Sequence, residues 1–451
     1  MTVLIKSLQM ATNPARIGRE AAQPHDEAYS LFTCTTECSP LRKEVEINGV
    51  PLFMEVDMGA SQSVMNQEAF ERTVKLNDPR SSEKMKFTRM CPLKIWFSNR
   101  QQSLLASLVL LPICYLVLLY PSYHKQQDIW RYYTMSQDCI ARLHNQSQRI
   151  VSSPCKPNSS QLELSVLYPG KPLGRIPVFV EKGKIPRPGN TFYQPPFGFR
   201  GCEEQLRKVM AMLPQTGLPK NLASTSCRRC IVVGNGGILR GSRLGPYIDQ
   251  HNIVIRMNNG PVADHAADVG WKTTLRITYP EGAPKSPREY DPSSLFVVAP
   301  YKSMDLDWLN AMVSKEPMNL WQKMWFWQSV VESVPLEPQN YRILNLDIVR
   351  ETALTFLGYP EPRHNQWRWK QVVPTLGVTS IIIALHLCDE VNLAGFGYDM
   401  SRPDLPLHYY ETVRMDMMNI QAVHNVNGEK LFLAALVKGK VVNDLTGGVS
   451  W

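Results

Sequence analysis

Glycine and asparagine residues follow two short, β-branched runs of this sequence. The run at 231–233 ends in Gly234-Asn235-Gly236-Gly237, and the run at 253–255 leads to Asn258-Asn259-Gly260. Glycine lets the backbone approach a phosphate group closely, and the N-terminus of a following helix offers unpaired N–H groups. Asparagine side chains hydrogen-bond a base or a sugar without adding charge. The two turns therefore predict a site for a nucleotide or a molecule built like one.

A dinucleotide-binding fingerprint is the main alternative for the first turn. Gly234 and Gly236 fit the first two glycines of G-x-G-x-x-G, but position 239, where the third glycine belongs, is leucine. A second pattern, Asp305-x-Asp307, has the spacing of a metal-binding pair. Its surroundings predict a helix start, where carboxylates in the first turn interact favourably with the helix dipole. We therefore expect no metal ion, and an NAD-dependent oxidoreductase is kept as a distant alternative.

These turns require strands and helices that hold them at one edge of a sheet. Strand-like apolar runs lie at 231–233, 253–257, 274–278, 295–299, 341–345 and 391–396. Helical spacing of apolar residues occurs at 203–213, 243–250, 305–315, 319–333, 347–357, 375–388 and 429–437. This alternation predicts an α/β domain with a largely parallel sheet. The helix at 375–388 is apolar nearly all round, so it is expected to lie centrally.

The composition limits the class of protein. A hydrophobic content of 44% and a charged content of 20% are typical of a globular protein, and 451 residues indicate one large domain with accessory segments. The formal net charge of +9 favours acidic ligands or an anionic surface. No compact cluster of lysine and arginine with interleaved aromatic residues occurs in the sequence, so nucleic acid is not an expected partner.

One apolar segment without charge, at 104–120, is predicted to be a transmembrane signal-anchor helix. Basic residues at positions 89, 94 and 100 precede it, so the positive-inside rule places the N-terminus in the cytosol and the rest of the chain in a lumen. A buried core helix is the alternative. The segment starts too far along the chain for a cleavable signal peptide. The sequence thus predicts a single-pass, type II membrane protein.

The predicted lumenal part begins with residues 121–194, which are polar and contain a proline- and glycine-rich run. They predict a loop-rich stem. Two glycosylation sequons, at Asn145 and Asn158, lie in this stem, and six of the ten cysteines follow the apolar segment. An oxidising lumen permits disulfide bonds, which we expect in preference to a zinc site at Cys227-x-x-Cys230, since no second ligand pair accompanies it.

Residues 1–103, ahead of the apolar segment, are interpreted as a cytosolic N-terminal extension. Within them Asp57-Met58-Gly59-Ala60-Ser61 follows an apolar run and resembles the Asp-Thr-Gly motif of retroviral-type aspartic proteases. Such proteases need two aspartates that share a proton, whereas this extension has one such motif, with Met58 in place of threonine. We interpret the extension as a retroelement protease-like fragment without activity, and disorder throughout it is left open.

Four blocks of the sequence resemble the sialyl motifs of the eukaryotic sialyltransferases. The large, small, third and very-small motifs correspond in order to residues 227–281, 374–399, 408–411 and 424–429. The resemblance covers roughly residues 195–449 and is strongest to the α2,3 subfamily. It implies a GT-A-like, Rossmann-type α/β catalytic domain at 195–451 that works without a metal or another cofactor.

The resemblance also implies roles for individual residues. His424 matches the catalytic base, His408 matches a histidine beside the donor's phosphate and carboxylate, and Glu429 is expected to orient the loop of the fourth motif. The positions that match donor-binding residues, for the donor CMP-sialic acid, are Asn235, Gly236, Asn258, Thr375, Gly377, Gly397 and His408.

Disulfide partners follow from the same resemblance. Cys230 and Cys388 match the cysteines that link the large and small motifs. Cys227 would then pair with a stem cysteine, for which Cys155 is preferred to Cys139 or Cys202.

The expected enzyme is a Golgi membrane protein that transfers sialic acid from CMP-sialic acid to a galactose-terminated glycolipid, lactosylceramide, with inversion. The same transfer to galactose on glycoprotein N-acetyllactosamine chains is the alternative. Whether the enzyme forms a homodimer is left open. The aromatic cluster at 321–327 is predicted to pack in the core, with a lipid-facing surface beside a glycolipid acceptor site as the alternative.

Overall fold

The computed structural model describes residues 135–185, 192–361, 372–397, 405–415 and 423–449, and the backbone of three strands nearer the N-terminus. The chain divides into two compact units, Met1–Leu110 and Leu111–Trp451. None of the helices in the described parts of the chain is long and apolar enough to cross a membrane. The predicted anchor at 104–120 and the Asp57 motif both lie outside the described residues.

Three antiparallel strands are described in the first unit. They are β1 (Arg42–Ile47), β2 (Val50–Val56) and β3 (Ser63–Met65), with β2 in the centre. β2 includes the apolar run that precedes the Asp57 motif, so this run forms a strand.

A seven-stranded sheet organises the second unit, and all of its neighbouring strands are parallel. Its order is β10-β9-β4-β5-β6-β7-β8, so the predicted α/β domain with a largely parallel sheet is confirmed. The strands are β4 (Arg229–Val233), β5 (Ile253–Met257), β6 (Leu275–Thr278), β7 (Leu295–Val298), β8 (Tyr341–Ile343), β9 (Glu390–Ala394) and β10 (Val442–Asp444).

Helices connect these strands and cover the sheet. The α-helices are α1 (Gln137–Ser152), α2 (Ser159–Leu167), α3 (Glu203–Met212), α4 (Lys220–Ala223), α5 (Gly245–Ile248), α6 (Ala266–Val269), α7 (Ser303–Ser314), α8 (Leu320–Lys323), α9 (Leu346–Arg350), α10 (Leu376–Leu387) and α11 (Val426–Lys438). A π-helical turn, Glu351–Phe356, continues α9. Short 3-10 turns are Lys182–Lys184, Gly237–Leu239, Pro280–Gly282, Pro287–Glu289 and Pro338–Asn340.

The central helix of the unit is α10, as its sequence predicts. Ten of its twelve residues are buried, and it packs against β4, β5, β6 and β9. A parallel sheet is covered on both faces, which is why nearly all residues of its strands are buried. Each fully buried leucine or isoleucine contributes about 1.5–3 kcal/mol to stability, so this helix and the strands beneath it form the core that holds the strand ends in place.

Two parts of the predicted secondary structure are wrong. Residues in the predicted loop-rich stem form α1 and α2, because Ile140, Leu143 and Ser147 recur on one face of α1 and are buried there. The long helix predicted at 319–333 is reduced to the single turn of α8. Consecutive aromatic residues at 325–327 and the valine pair that follows have low helix propensity, which explains the early end.

Candidate active site

A cavity of about 670 Å³ opens at the carboxyl ends of the central strands. It lies where β4 and β9 run side by side while the chain continues from β4 to β5 in the opposite direction. In open parallel sheets such a reversal of strand order leaves a crevice, and ligands bind there. The cavity is lined by all eight residues predicted to bind the donor or act in catalysis and by Glu429, which was predicted to orient a loop; the eight are Asn235, Gly236, Asn258, Thr375, Gly377, Gly397, His408 and His424.

Glycines permit a close contact between the turns that follow β4 and β9. Gly236 donates its N–H to the carbonyl of Gly395 at 3.0 Å. A Cβ atom at Gly234 or Gly236 would lie 2.4 or 2.6 Å from that carbonyl oxygen, closer than real Cβ atoms come. Any larger residue would push the two turns apart. The glycines therefore fix the floor of the cavity as well as leaving space for a ligand.

The loop that carries His408 is attached to the same glycine turn. His408 pairs with Gly236 in an isolated β-bridge, and the N–H of Tyr409 donates to the carbonyl of Asn235 at 3.0 Å. The imidazole of His408 contacts the carboxylate of Glu411 through Nδ1 and stacks on the ring of Tyr410, with centroids 5.4 Å apart. These contacts fix the position and the orientation of the ring at the cavity wall.

The two asparagines contact the ends of neighbouring strands. Asn258 has a left-handed backbone with φ of 50°, which asparagine tolerates better than most residues, and its side-chain oxygen accepts a 3.3 Å hydrogen bond from the Thr278 hydroxyl. The side-chain amide of Asn235 donates to the carbonyl of Met257 over 3.5 Å. Both side chains are half-buried, so they line the cavity as neutral hydrogen-bonding groups.

The N-terminus of α10 forms another wall. The Thr375 side chain accepts the N–H of Val378 at 3.3 Å and caps the helix, and Gly377 in the first turn lines the cavity. A helix N-terminus carries a partial positive charge and favours an anion. Opposite it, Gly397 has a φ of 101°, a conformation that glycine adopts without strain. This wall therefore suits a phosphate or carboxylate group.

One ring nitrogen of His424 hydrogen-bonds the backbone. Its Nδ1 donates to the carbonyl of Val373 at 2.8 Å, since a carbonyl accepts only, and the neutral ring therefore carries its lone pair on Nε2. Burial lowers the pKa of His424, and the hydrogen bond to Val373 acts in the opposite direction. A neutral imidazole with a directed lone pair is suited to accept a proton at neutral pH.

Glu429 joins the first turns of α10 and α11. It is 4% exposed and accepts hydrogen bonds from the backbone N–H of Thr375 at 2.8 Å and from the Thr375 hydroxyl. Burial raises its pKa to about 7, although the hydrogen bonds from Thr375 act in the opposite direction. Because His424 lies just before α11, this contact also sets the position of the His424 loop against α10.

A charged group on the cavity wall is missed by the sequence analysis. The Lys302 ammonium lies 2.7 Å from a carboxylate oxygen of Glu281 and 2.9 Å from Asp305, and all three residues line the cavity. The Asp305 carboxylate accepts the N–H groups of Tyr301 and Lys302, as expected for the first turn of α7, and burial raises its pKa to about 6. In the sequence, 20 residues separate Glu281 from Lys302, so no local spacing indicated their pairing.

Metal-ligating side chains do not cluster in this part of the protein. Over the described ranges, no group of three or more histidine, cysteine or carboxylate side chains has the arrangement of a metal site.

Both disulfide bonds expected from the sequence are present. Cys230 is linked to Cys388, and Cys155 is linked to Cys227, whereas Cys139 and Cys202 are not in a disulfide. The linked cysteines lie near the amino ends of β4 and β9, at the edge of the sheet opposite the cavity.

The two sequon asparagines are exposed. Asn145 lies on the outer face of α1, and Asn158 precedes α2. Both positions are therefore accessible on the surface of the folded unit.

The aromatic cluster at 321–327 is exposed, which corrects the prediction that it packs in the core. Trp321, Trp325 and Trp327 are between 70% and 75% exposed, and only Phe326 is buried. Because the helix ends at Lys323, there is no continuous helical face that would bury them together.

Comparison with known proteins gives one family. The profile of glycosyltransferase family 29 (sialyltransferase) matches residues 179–441. The human lactosylceramide alpha-2,3-sialyltransferase is 42% identical over 322 residues, which are 71% of this chain and 77% of the relative. The bovine protein of the same name is 38% identical over 386 residues, 82% of this chain and 92% of the relative.

A human relative named for a different acceptor has the same percentage identity. CMP-N-acetylneuraminate-beta-1,4-galactoside alpha-2,3-sialyltransferase is 42% identical over 311 residues, 68% of this chain and 81% of the relative. Among solved structures, a mammalian sialyltransferase in complex with Gal-beta-1-3GalNAc-ortho-nitrophenol superposes with a TM-score of 0.51 at 24% identity, over 64% of this chain and 98% of that chain. This second similarity is one of fold.

Proposed function

The chain belongs to glycosyltransferase family 29, the sialyltransferases, and from this premise we propose that it transfers sialic acid from CMP-sialic acid to the terminal galactose of lactosylceramide in an α2,3 linkage. The observation that carries the proposal is a cavity that combines an anion-favouring helix N-terminus with a neutral histidine base. The helix N-terminus suits a nucleotide-linked acidic sugar, and the histidine base suits an acceptor hydroxyl.

His424 acts as the general base in the proposed reaction. Its Nε2 takes the proton of the galactose 3-hydroxyl while that oxygen forms a bond to the anomeric carbon of sialic acid. The bond from this carbon to the phosphate oxygen breaks, and its electron pair leaves with CMP. A positioned base contributes about 10²–10⁴-fold to such a step. One displacement inverts the anomeric centre through an oxocarbenium-like transition state, as in glycoside hydrolysis.

Charge develops on the departing phosphate, and the chain offers two groups to offset it. The first turn of α10 presents its dipole and its N–H groups, and the ring of His408 lies at the cavity wall where Glu411 holds it. Asn235 and Asn258 supply hydrogen bonds for the base and the ribose of CMP. With these groups no step of the mechanism requires a metal, and we propose a GT-A-like domain that is metal-independent.

The acceptor is proposed to occupy the part of the cavity near Glu281, Tyr301 and Lys302. Buried hydrogen-bonding groups at this place suit the hydroxyls of a neutral sugar. Transfer to a lipid acceptor also agrees with the proposed location, a Golgi membrane protein anchored by residues 104–120 with its catalytic domain in the lumen.

A second acceptor is favoured by one observation, since a relative named for β-1,4-galactosides is as similar as the lactosylceramide enzymes. The test is a panel with CMP-sialic acid as donor and lactosylceramide, desialylated glycoprotein or water as acceptor, with and without a chelator. We expect transfer to lactosylceramide that the chelator leaves unchanged. Transfer only to the glycoprotein would overturn the lipid assignment, and loss with the chelator would overturn metal independence.

A further inference from the structure

Five large apolar side chains are exposed within eight residues next to the cavity. We name them the tryptophan patch: Leu320, Trp321, Met324, Trp325 and Trp327. Each is between 70% and 78% exposed. Single exposed apolar residues are ordinary, but a contiguous group that includes three tryptophans marks an interaction site.

The patch is built on a fixed base. Phe326, which is 8% exposed, packs under the Lys302 ammonium, 4.7 Å from the ring centroid. Lys323 forms a 2.6 Å ion pair with Glu332, and the Trp308 indole donates to the carbonyl of Val331 at 2.9 Å. The backbone after the patch is therefore tied to α7 at Val331, and buried Phe326 anchors the segment while its apolar neighbours stay exposed.

The patch is continuous with the cavity. Trp327 lines the cavity, and the side-chain amide of Gln328 donates to the carbonyl of Glu281 at 2.6 Å. Glu281 in turn pairs with Lys302 on the cavity wall. A molecule that covers the patch therefore reaches the cavity mouth.

We propose that the tryptophan patch docks on the lumenal surface of the bilayer and brings the cavity mouth to the headgroups of membrane-embedded glycolipids. The inference rests on the proposed function, because the ceramide of such an acceptor stays in the membrane while its sugar enters the cavity. Tryptophan suits this position, since its ring is apolar and its N–H remains in the wet headgroup layer. An apolar rim at the acceptor end of the cavity matches that layer.

The test compares one acceptor sugar in two settings, with the full chain reconstituted in vesicles. Lactosylceramide in the same vesicles is the membrane acceptor, and free lactose is the soluble one. The variant combines Trp321→Ser and Trp325→Ser, neither of which lines the cavity. Trp271→Ser is the matched control, because Trp271 is 66% exposed and precedes β6, at the amino edge of the sheet away from the cavity.

We expect the apparent KM of the double variant for lactosylceramide to rise at least about tenfold, with kcat/KM for lactose within about twofold of the native value. The Trp271→Ser control should change neither. Unchanged kinetics on lactosylceramide would overturn the proposal, and so would an equal loss with both acceptors, since the patch would then act on catalysis and not on access.

A second measurement reports docking without turnover. Lipids brominated on their acyl chains quench tryptophans that enter the bilayer, and the same three proteins are compared in such vesicles. Quenching should decrease in the double variant and not in the control. Equal quenching in all three would overturn the proposal and leave a protein interface as the use of the patch. If the native enzyme sialylates only glycoprotein, the proposed acceptor is wrong. The quenching experiment still shows whether the tryptophan patch enters the bilayer.

Discussion

His251 is buried and His424 is half-buried, and their ring nitrogens have different partners. His251 bonds the carbonyls of Tyr247 and Ile248 through Nδ1 and accepts from Asn392 through Nε2, and burial lowers its pKa to about 4. His424 uses Nδ1 for the Val373 carbonyl and lines the cavity. Because both ring nitrogens of His251 hydrogen-bond groups inside the core, its role is structural. His424 instead lies on the cavity wall, where its ring can contact a substrate.

Replacement of His424 tests the proposed base. His424→Ala is expected to lower kcat by about 10²–10⁴-fold while CMP binding stays close to native, because the side chain accepts a proton and does not hold the nucleotide. Radiolabelled transfer and calorimetric titration with CMP measure the two properties. His144→Ala is the control, since His144 also bonds a backbone carbonyl, that of Ser242, but does not line the cavity. Near-native turnover in His424→Ala would refute the assignment.

Glu429 should make stability depend on pH. Its pKa rises from the ordinary 4.5 to about 7 on folding, so the folded chain holds the proton more tightly than the unfolded chain. The stabilisation is complete below about 4.5 and is lost as the pH rises through about 7. We expect Tm to fall between about pH 5 and about pH 8, and to fall less in Glu429→Gln.

Thermal unfolding across that pH range measures the effect. Glu163→Gln, which removes an exposed carboxylate on α2, is the control and should keep the native slope. A native slope in Glu429→Gln would contradict the expected shift.

At the scale of elements, helices and strands were predicted correctly where the spacing of apolar residues within a short segment is regular. Six strands and α10 lie where their apolar runs placed them, whereas β10, with the sequence Val442-Asn443-Asp444, was missed because it is short and polar. The nine site residues implied by the resemblance to the sialyltransferases also line one cavity, because strand ends and the start of α10 meet there. The Glu281–Lys302 pair could not be predicted, because tertiary packing brings it together.

The turn after β9 should not tolerate a side chain. A Cβ at Gly397 would lie 1.9 Å from the Gly448 carbonyl oxygen, in addition to the strain of a φ of 101°. Gly397→Ala is therefore expected to lower both the Tm and the affinity for CMP. Gly358→Ala is the control, because Gly358 also has a positive φ, 66°, but meets no atom within 4 Å. A similar small decrease in Tm and in CMP affinity in both variants would show that backbone strain alone causes the effect.

The disulfide bond between Cys230 in β4 and Cys388 at the end of α10 should stabilise the catalytic unit. Replacing Cys230 and Cys388 together by alanine is expected to lower the free energy of unfolding by about 2–5 kcal/mol. Urea denaturation measures this, with Cys139→Ala as the control because Cys139 is not in a disulfide. An unchanged midpoint in the double variant would mean that packing around α10 alone supplies the stability.

At the scale of the whole molecule, the sheet separates two tasks. Its carboxyl edge carries the cavity, and next to the cavity mouth lies the tryptophan patch. Its amino edge carries both disulfides. The covalent cross-links therefore strengthen the fold without taking part in the site.

The N-terminal extension should be dispensable for transfer. Asp57→Asn is expected to leave the rate of sialyl transfer within about twofold of native, because a single aspartate without its partner does not make an aspartic protease site. The rate is compared with that of His424→Ala under the same conditions. A loss of transfer in Asp57→Asn would show that the extension contributes to the enzyme.

The order of the disulfide-bonded cysteines along the chain determines which proteolytic cuts can be detected without reduction. A single proteolytic cut between Cys155 and Cys227, or between Cys230 and Cys388, leaves two fragments that a disulfide still joins. Between Cys155 and Cys388, only a cut in the short Cys227–Cys230 stretch is spanned by neither of these two disulfides. On an unreduced gel an enzyme cut inside either disulfide loop therefore migrates as one species, and its fragments separate after reduction.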